Sequence, residues 1–145
     1  LRTSLIVGYP GEGEGEFSTL MEFVKESRFH HLGVFPFWPE DGTKAAALAA
    51  QVADEAKLER KDRIMELQAS ISRELLEPLE GEQVDVLVDG PHPEWDGLFV
   101  GRTWFQAPEV DGVVYLSGEG IVPGKIVRAR VEECHDYDLT ALVWE

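Results

Sequence analysis

The chain has 145 residues, of which 28 are acidic and 13 are basic, so its net charge is −15. Nucleic-acid affinity rests largely on lysine and arginine contacts to phosphates, so this balance disfavours RNA or DNA as the main partner and suits either a basic protein partner or solubility alone. No apolar stretch approaches the roughly 20 residues that cross a bilayer, and a single cysteine, Cys134, excludes an internal disulfide framework.

The chain begins with Leu1 and shows no charged segment followed by an apolar run. We therefore expect no secretory signal and a cytoplasmic location, and we expect the chain to be a piece of a longer protein. Its length suits one small domain plus part of another, and we expect a monomer.

The first 40 residues predict a strand, a helix and a second strand. Residues 5–8 are apolar and end in a Tyr-Pro-Gly turn, apolar residues then recur at helical spacing from Glu16, and residues 31–37 are again apolar. This order predicts a βαβ unit with parallel strands. Because parallel strands are normally covered on both faces, we expect it to be a fragment of a larger sheet or barrel.

A long amphipathic helix is predicted from Asp54 to near Pro78. Its apolar face contains Leu58, Ile64 and Ile71, with charged residues such as Arg60 largely on other faces. The alanine-rich residues 44–51 before it can also be helical. We place a domain boundary after residue 80, which gives domains 1–80 and 81–145.

From Gly81 the sequence changes to the alternation typical of strands. Five strands are predicted, at residues 84–88, 98–105, 113–116, 126–132 and 137–143. So many strands in so short a stretch predict a small antiparallel β-barrel of the OB-like class, and the fold class is α+β. The connector 106–112 carries two acidic residues, Glu109 and Asp111.

Three groups of residues could carry chemistry, and each has a structural alternative. The glycine-rich residues 8–16 lack the Lys-Ser or Lys-Thr pair of a phosphate-binding loop, so we interpret them as a strand-to-helix turn. Residues 134–136, Cys-His-Asp, are neighbours whose side chains alternate between faces, which predicts a turn rather than a catalytic dyad or a metal site.

The third group is aromatic. The β-domain contains Trp95, Trp104, Phe105 and Tyr115. Barrels that bind single-stranded nucleic acid stack bases on such side chains, but only four basic residues lie in this domain. The shortage of cations favours packing roles, although Arg102 beside Trp104 and Phe105 leaves RNA binding open.

Motifs along the whole chain resemble those of one family. Residues 1–12, residues 35–43 and residues 63–72 are similar to two barrel strands and the linker helix of the methylthiotransferases of the radical S-adenosylmethionine class. The most specific match is residues 107–112, Ala-Pro-Glu-Val-Asp-Gly, which resembles the signature of the TRAM domain in the RimO branch. Gln106 stands where the family usually has Asp.

The resemblance implies the last strands of a radical S-adenosylmethionine α/β barrel, a linker helix and a TRAM barrel. It implies a full-length enzyme that adds a methylthio group to an aspartate of ribosomal protein S-twelve, using S-adenosylmethionine and two 4Fe-4S clusters held by cysteines. Because Cys134 is the single cysteine here, we expect this piece to hold no cluster, no metal and no catalytic residue, and to be inactive alone.

The resemblance also implies where ligands would bind. Gly8, Pro10 and Gly11 would lie near S-adenosylmethionine. The TRAM domain would dock the basic ribosomal protein, or the small ribosomal subunit, through Arg102, Trp104, Phe105, Glu109 and Asp111. Two alternatives stay open: a tRNA methylthiotransferase with an RNA-binding TRAM domain, and a stand-alone RNA-binding β-barrel.

Overall fold

The computed structural model describes residues 1–144, which form two compact units. The first unit is Leu1–Ser72, and the second begins at Arg73. In this described part of the chain, no helix has both the length and the apolar character that a membrane span requires.

The first unit is built on a βαβ motif, as predicted. Strand β1 (Arg2–Val7) leads through a turn into helix α1 (Glu14–Ser27), and strand β2 (His31–Pro36) returns parallel to β1. Helix α1 buries Phe17 and Val24, two residues of the predicted apolar face. It starts two residues earlier than predicted, where the Glu16 carboxylate accepts the N–H of Gly13 at 3.0 Å.

Helix α2 (Asp54–Leu76) confirms the predicted long helix and its start, and a 3₁₀ turn (Glu77–Leu79) follows it. The side chains that it buries differ from the predicted apolar face. Leu58 is 46% exposed, whereas Lys57, Arg60 and Gln68 are buried together with Ile64 and Ile71. Hydrophobic spacing therefore predicted the helix correctly but predicted part of its buried face wrongly. The aliphatic parts of Lys57 and Arg60 are buried, and their charged groups pair with carboxylates.

Residues 44–51 form turns rather than the helix that their alanine content suggested. Most of them are exposed. An isolated short helix is unstable in water unless one face packs against the rest of the protein, and this segment lacks such a face.

The second unit is a closed five-stranded barrel. Its strands are β3 (Gln83–Pro91), β4 (Phe99–Arg102), β5 (Val114–Gly118), β6 (Ile126–Cys134) and β7 (Leu139–Val143). They are ordered β3-β4-β5-β7-β6, and β6 closes back onto β3. The predicted small barrel is confirmed, with one correction: β5 and β7 pair in parallel, so the sheet is mixed rather than purely antiparallel.

Alternation along the strands fills the barrel. The buried core comprises Val86, Val88, Val114, Leu116, Ala129, Val131, Cys134, Leu139 and Ala141, with Leu76 from the end of α2. Strand β4 is shorter than predicted and ends at Arg102, because the chain turns away from the sheet at Thr103. The residues between β4 and β5 therefore form a longer loop than the sequence suggested.

Candidate functional site

The loop between β4 and β5 consists of two successive turns, each closed by a side chain. In the first turn the backbone N–H of Gln106 donates to the carbonyl of Thr103 at 3.2 Å. The side chain of Gln106 returns to the same residue, where its Oε1 accepts the Thr103 N–H at 2.9 Å and the Thr103 hydroxyl at 3.0 Å. Both residues are buried, so this turn is fixed from inside.

The second turn is closed in the same way by Asp111. Its Oδ2 accepts the backbone N–H of Ala107 at 2.6 Å, and its own N–H donates to the Ala107 carbonyl at 3.1 Å. Glu109 lies in the left-handed region, with φ of 63°. Beyond the turn, Gly112 lies so close to Tyr137 that a Cβ at this glycine would be 1.9 Å from the Tyr137 carbonyl oxygen. Both turns therefore hold one shape through internal contacts.

The centre of each turn presents apolar surface outward. Trp104 is 92% exposed and Val110 is 70% exposed. Phe105 is half-buried against the barrel core, and its ring meets that of Trp104 edge to face, with centroids 5.6 Å apart and planes at 89°. Exposed tryptophans are common anchors of protein interfaces, because a large rigid ring loses little conformational entropy when it binds.

The five residues expected to dock a substrate all lie at or beside this loop, and they have different surroundings. Trp104 and Glu109 are exposed. Phe105 packs on the core, the Asp111 carboxylate accepts a backbone hydrogen bond within the loop, and Arg102 is paired with the Asp89 carboxylate. Sequence alone did not separate the residues that face solvent from those that shape the loop.

The arginines of the barrel all have acidic partners. Besides the Arg102–Asp89 pair, Arg130 lies 2.7 Å from Glu132, and Arg128 lies 3.7 Å from Asp85. These pairs involve three of the four basic residues of the barrel, and Lys125 is the fourth. Residues 81–145 carry 13 acidic and four basic residues, so the barrel presents a surplus of negative charge.

A second group of residues lies at the turn between β1 and α1, where the sequence pointed to Gly8, Pro10 and Gly11. The Gly8 N–H donates to Oε1 of Glu12 at 2.9 Å, and the Gly11 N–H donates to the Ala50 carbonyl at 2.9 Å. Gly8 has φ of +75°, and a Cβ there would be 2.3 Å from Cγ of Lys57. The backbone N–H groups of both glycines are thus used within the chain.

Arg60 of α2 ties this turn to the helix. Its guanidinium donates to Oε1 of Glu12 at 2.8 Å, to the Glu12 carbonyl at 3.0 Å and to Oε1 of Glu14 at 2.9 Å. Burial would lower the pKa of Arg60, but the hydrogen bonds to Glu14 and Glu12 outweigh it and the pKa is raised. The hydrophobic pattern gave no signal for this residue, since a buried arginine looks like a surface one in sequence.

Lys57 is the other buried cation of the helix. Its Nζ pairs with Oδ1 of Asp54 at 2.9 Å and lies 5.0 Å from the ring centre of Trp38 and 5.9 Å from that of Phe37. Both rings follow β2, and Tyr9 after β1 meets Phe37 edge to face at 5.3 Å. Aromatic residues thus gather at the carboxyl ends of the two parallel strands, the edge where such sheets commonly bind ligands.

Cys134 does not have the surroundings of a metal ligand. Its thiol is buried and donates to the Leu76 carbonyl at 3.1 Å. Burial, with smaller contributions from Glu80, Glu77 and Glu133, raises its pKa to about 11. Within residues 1–144 no three His, Cys, Asp or Glu side chains are grouped so that they could hold a metal ion. The donor set of this part of the chain therefore does not fit an iron–sulfur cluster.

Comparison with known proteins agrees with the motifs. Residues 81–143 match the family model for the TRAM domain. Two curated relatives carry the name "Ribosomal protein uS12 methylthiotransferase RimO". The protein from Nitratidesulfovibrio vulgaris strain DP4 is 55% identical over 143 residues, which cover 99% of this chain and 33% of that protein. The protein from Myxococcus xanthus is 48% identical over 145 residues, which cover 100% of this chain and 30% of that protein. The chain spans about one third of the length of these relatives. The resemblance drawn from the motifs is confirmed.

Proposed function

We propose that this chain, a homologue of the uS12 methylthiotransferases with a TRAM domain at residues 81–143, is part of an enzyme that adds a methylthio group to an aspartate of ribosomal protein uS12. In this proposal the β-barrel docks the protein substrate. The name of the relatives supports the reaction and the substrate. The docking role is supported by the barrel itself.

The observation that carries the docking role is the charge of the barrel after its internal pairs are formed. Arg102, Arg128 and Arg130 each lie beside a carboxylate of the same barrel, and residues 81–145 carry 13 acidic residues against four basic ones. A surface of this sign attracts a basic protein and repels a phosphate backbone. Negative charge beside a rigid loop with an exposed tryptophan therefore suits the docking of a basic protein better than RNA binding.

The proposal assigns S-adenosylmethionine and two 4Fe-4S clusters to the complete enzyme, which we expect to act in the cytoplasm as a monomer. Once bound, these groups supply the radical, the sulfur and the methyl group. The cluster ligands would come from residues outside this chain, since Cys134 is its single cysteine and is engaged with the Leu76 carbonyl. The turn from Gly8 to Gly11, at the carboxyl ends of β1 and β2, is the candidate contact to S-adenosylmethionine.

Binding measurements on the 145-residue chain test the docking role. We expect the chain to bind purified ribosomal protein uS12 more tightly than tRNA, with an affinity for uS12 that falls as salt is raised. Glu109→Gln should weaken uS12 binding by about 1.5- to 3-fold, as is usual for a rim charge. Glu119→Gln, an exposed acid on a different loop, is the matched control. Equal or tighter binding of tRNA would instead favour the tRNA-modifying alternative and reject this proposal.

A further inference from the structure

The four tryptophans of the chain differ in what covers their ring faces. Trp38 has the Lys57 ammonium 5.0 Å from its ring centre, and Trp144 has the Arg130 guanidinium at 5.4 Å. Trp95 stacks on the imidazole of His92, with centroids 4.8 Å apart and planes at 11°.

Trp104 is the exception. Among the contacts of residues 1–144, its one aromatic neighbour is Phe105, whose ring plane is perpendicular to the indole, and the high exposure of Trp104 leaves most of the indole surface open to solvent. It is also the most exposed large hydrophobic side chain of the described residues, at 92%. Arg102 lies two residues away but is paired with Asp89, so the chain itself offers no nearby unpaired arginine to cover this ring.

We infer that Trp104 receives a lysine or arginine side chain of a basic protein partner on its open ring face. This inference rests on the proposed docking function. A cation over an indole face is attracted by the quadrupole of the ring, and tryptophan is the aromatic residue that binds cations best. The two internal examples at Trp38 and Trp144 show that the chain already uses this contact where it has a cation to offer.

The surroundings of Trp104 favour a cation over other occupants. Glu109 is exposed on the second turn of the same loop, and the barrel carries an acidic surplus. Carboxylates of this kind would attract and orient an incoming ammonium or guanidinium group, whereas they would repel the phosphates that accompany a stacked base. The loop is closed by Gln106 and Asp111 before any partner binds, so little ordering is needed on docking.

The test compares Trp104→Phe with Trp104→Leu in the 145-residue chain, using purified ribosomal protein uS12 as the probe. Phenylalanine keeps an aromatic face with a weaker attraction for cations, while leucine keeps an apolar side chain without one. We expect the order of affinity Trp, then Phe, then Leu, with Trp104→Leu weaker by about 3- to 10-fold, the range that a partly desolvated cation–π contact supplies. Trp95→Leu, at an exposed tryptophan stacked on His92, should change affinity by less than about 2-fold.

Four outcomes would overturn the inference. If leucine binds uS12 as well as phenylalanine or better, the contact is apolar and involves no cation. If both variants bind like the wild type, Trp104 is not an anchor, although the docking function stands. If Trp104→Leu weakens tRNA binding more than uS12 binding, the ring stacks on a base. A wild-type chain that does not bind uS12 at all would reject the docking function and, with it, this inference. Because the ring is exposed, circular dichroism should show both variants to be folded.

Discussion

Replacing Glu12 by alanine should destabilise the first unit much more than replacing Glu14, although both carboxylates bind the same arginine. Glu12 is 12% exposed at its side chain and Glu14 is 78% exposed, while the Arg60 side chain is 8% exposed. Oε1 of Glu12 accepts two hydrogen bonds, from Gly8 at 2.9 Å and from Arg60 at 2.8 Å. The structure thus contains one buried and one exposed ion pair that share a cation.

The expected costs follow from this difference. Glu12→Ala leaves the buried N–H of Gly8 without its acceptor, which costs about 1–3 kcal/mol. It also removes one of the two carboxylates that pair with the buried Arg60 guanidinium, which keeps its pair with Glu14. The total loss of unfolding free energy should therefore be about 2–4 kcal/mol, because a buried charge that loses every partner costs about 3–5 kcal/mol. Glu14→Ala removes an exposed ion pair and an acidic residue of the first helical turn, which together should cost at most about 1 kcal/mol.

Urea unfolding followed by far-ultraviolet circular dichroism measures both variants, because α1 and most of α2 belong to the first unit. Measuring Arg60→Met alone and combined with each alanine variant completes two double-mutant cycles. A strong coupling is expected between Arg60 and Glu12 and a weak one between Arg60 and Glu14. Equal costs for the two alanine variants would refute the reasoning, since they would show that burial does not set the strength of this network.

Three further predictions concern the second unit. Gly112→Ala should lower the free energy of unfolding by about 3 kcal/mol or more, because its Cβ would meet the Tyr137 carbonyl oxygen at 1.9 Å; a thermal melt within a degree or two of wild type would contradict this. Burial raises the pKa of Cys134 from 9.0 to about 11, so the folded state favours the neutral thiol. The contribution of this thiol to the free energy of unfolding should be fully present below about pH 9 and should fall by about 2–3 kcal/mol as the pH rises towards 11, relative to Cys134→Ala. Parallel pH profiles of stability for the two proteins would argue against this. Asp111→Asn keeps an acceptor for the backbone N–H four residues earlier and Asp111→Ala does not, so alanine should cost about 1–2 kcal/mol more in chemical denaturation; equal stabilities would show that Asp111 does not close the turn.

Periodicity was enough to predict most of the fold. The parallel βαβ order, the long helix from Asp54 and the five barrel strands follow from apolar spacing and from glycine and proline punctuation. The parallel pairing of β5 with β7 could not be read in this way, because it joins strands that are distant in sequence and leaves the alternation of side chains unchanged. The alanine-rich segment misled for a related reason: helix propensity is a weak preference unless a face can pack.

The candidate site was predicted less well than the fold, because residue type does not report the partner of a side chain. Arg60 and Arg128 are both arginines in charged stretches, yet the first is buried and the second lies on the barrel surface. Glu109 and Asp111 are two positions apart in one loop. The carboxylate of Asp111 accepts a hydrogen bond from the backbone N–H of Ala107, whereas Glu109 is exposed. The first difference arises from contacts between distant parts of the chain and the second from the shape of a single turn, and residue type alone reports neither.

Net charge alone could not have distinguished a soluble surface from a docking surface. A charge of −15 is compatible with either. What favours docking is the distribution of partners: the arginines of the barrel are paired internally, two tryptophans are covered by cations of the chain, and Trp104 is left exposed on a loop that two side chains hold in shape. A surface needed only for solubility has no reason to expose its largest apolar side chain in a fixed geometry, because exposed aromatic area promotes aggregation. The combination of fixed shape, open indole and surplus carboxylates is explained more simply by a cationic partner.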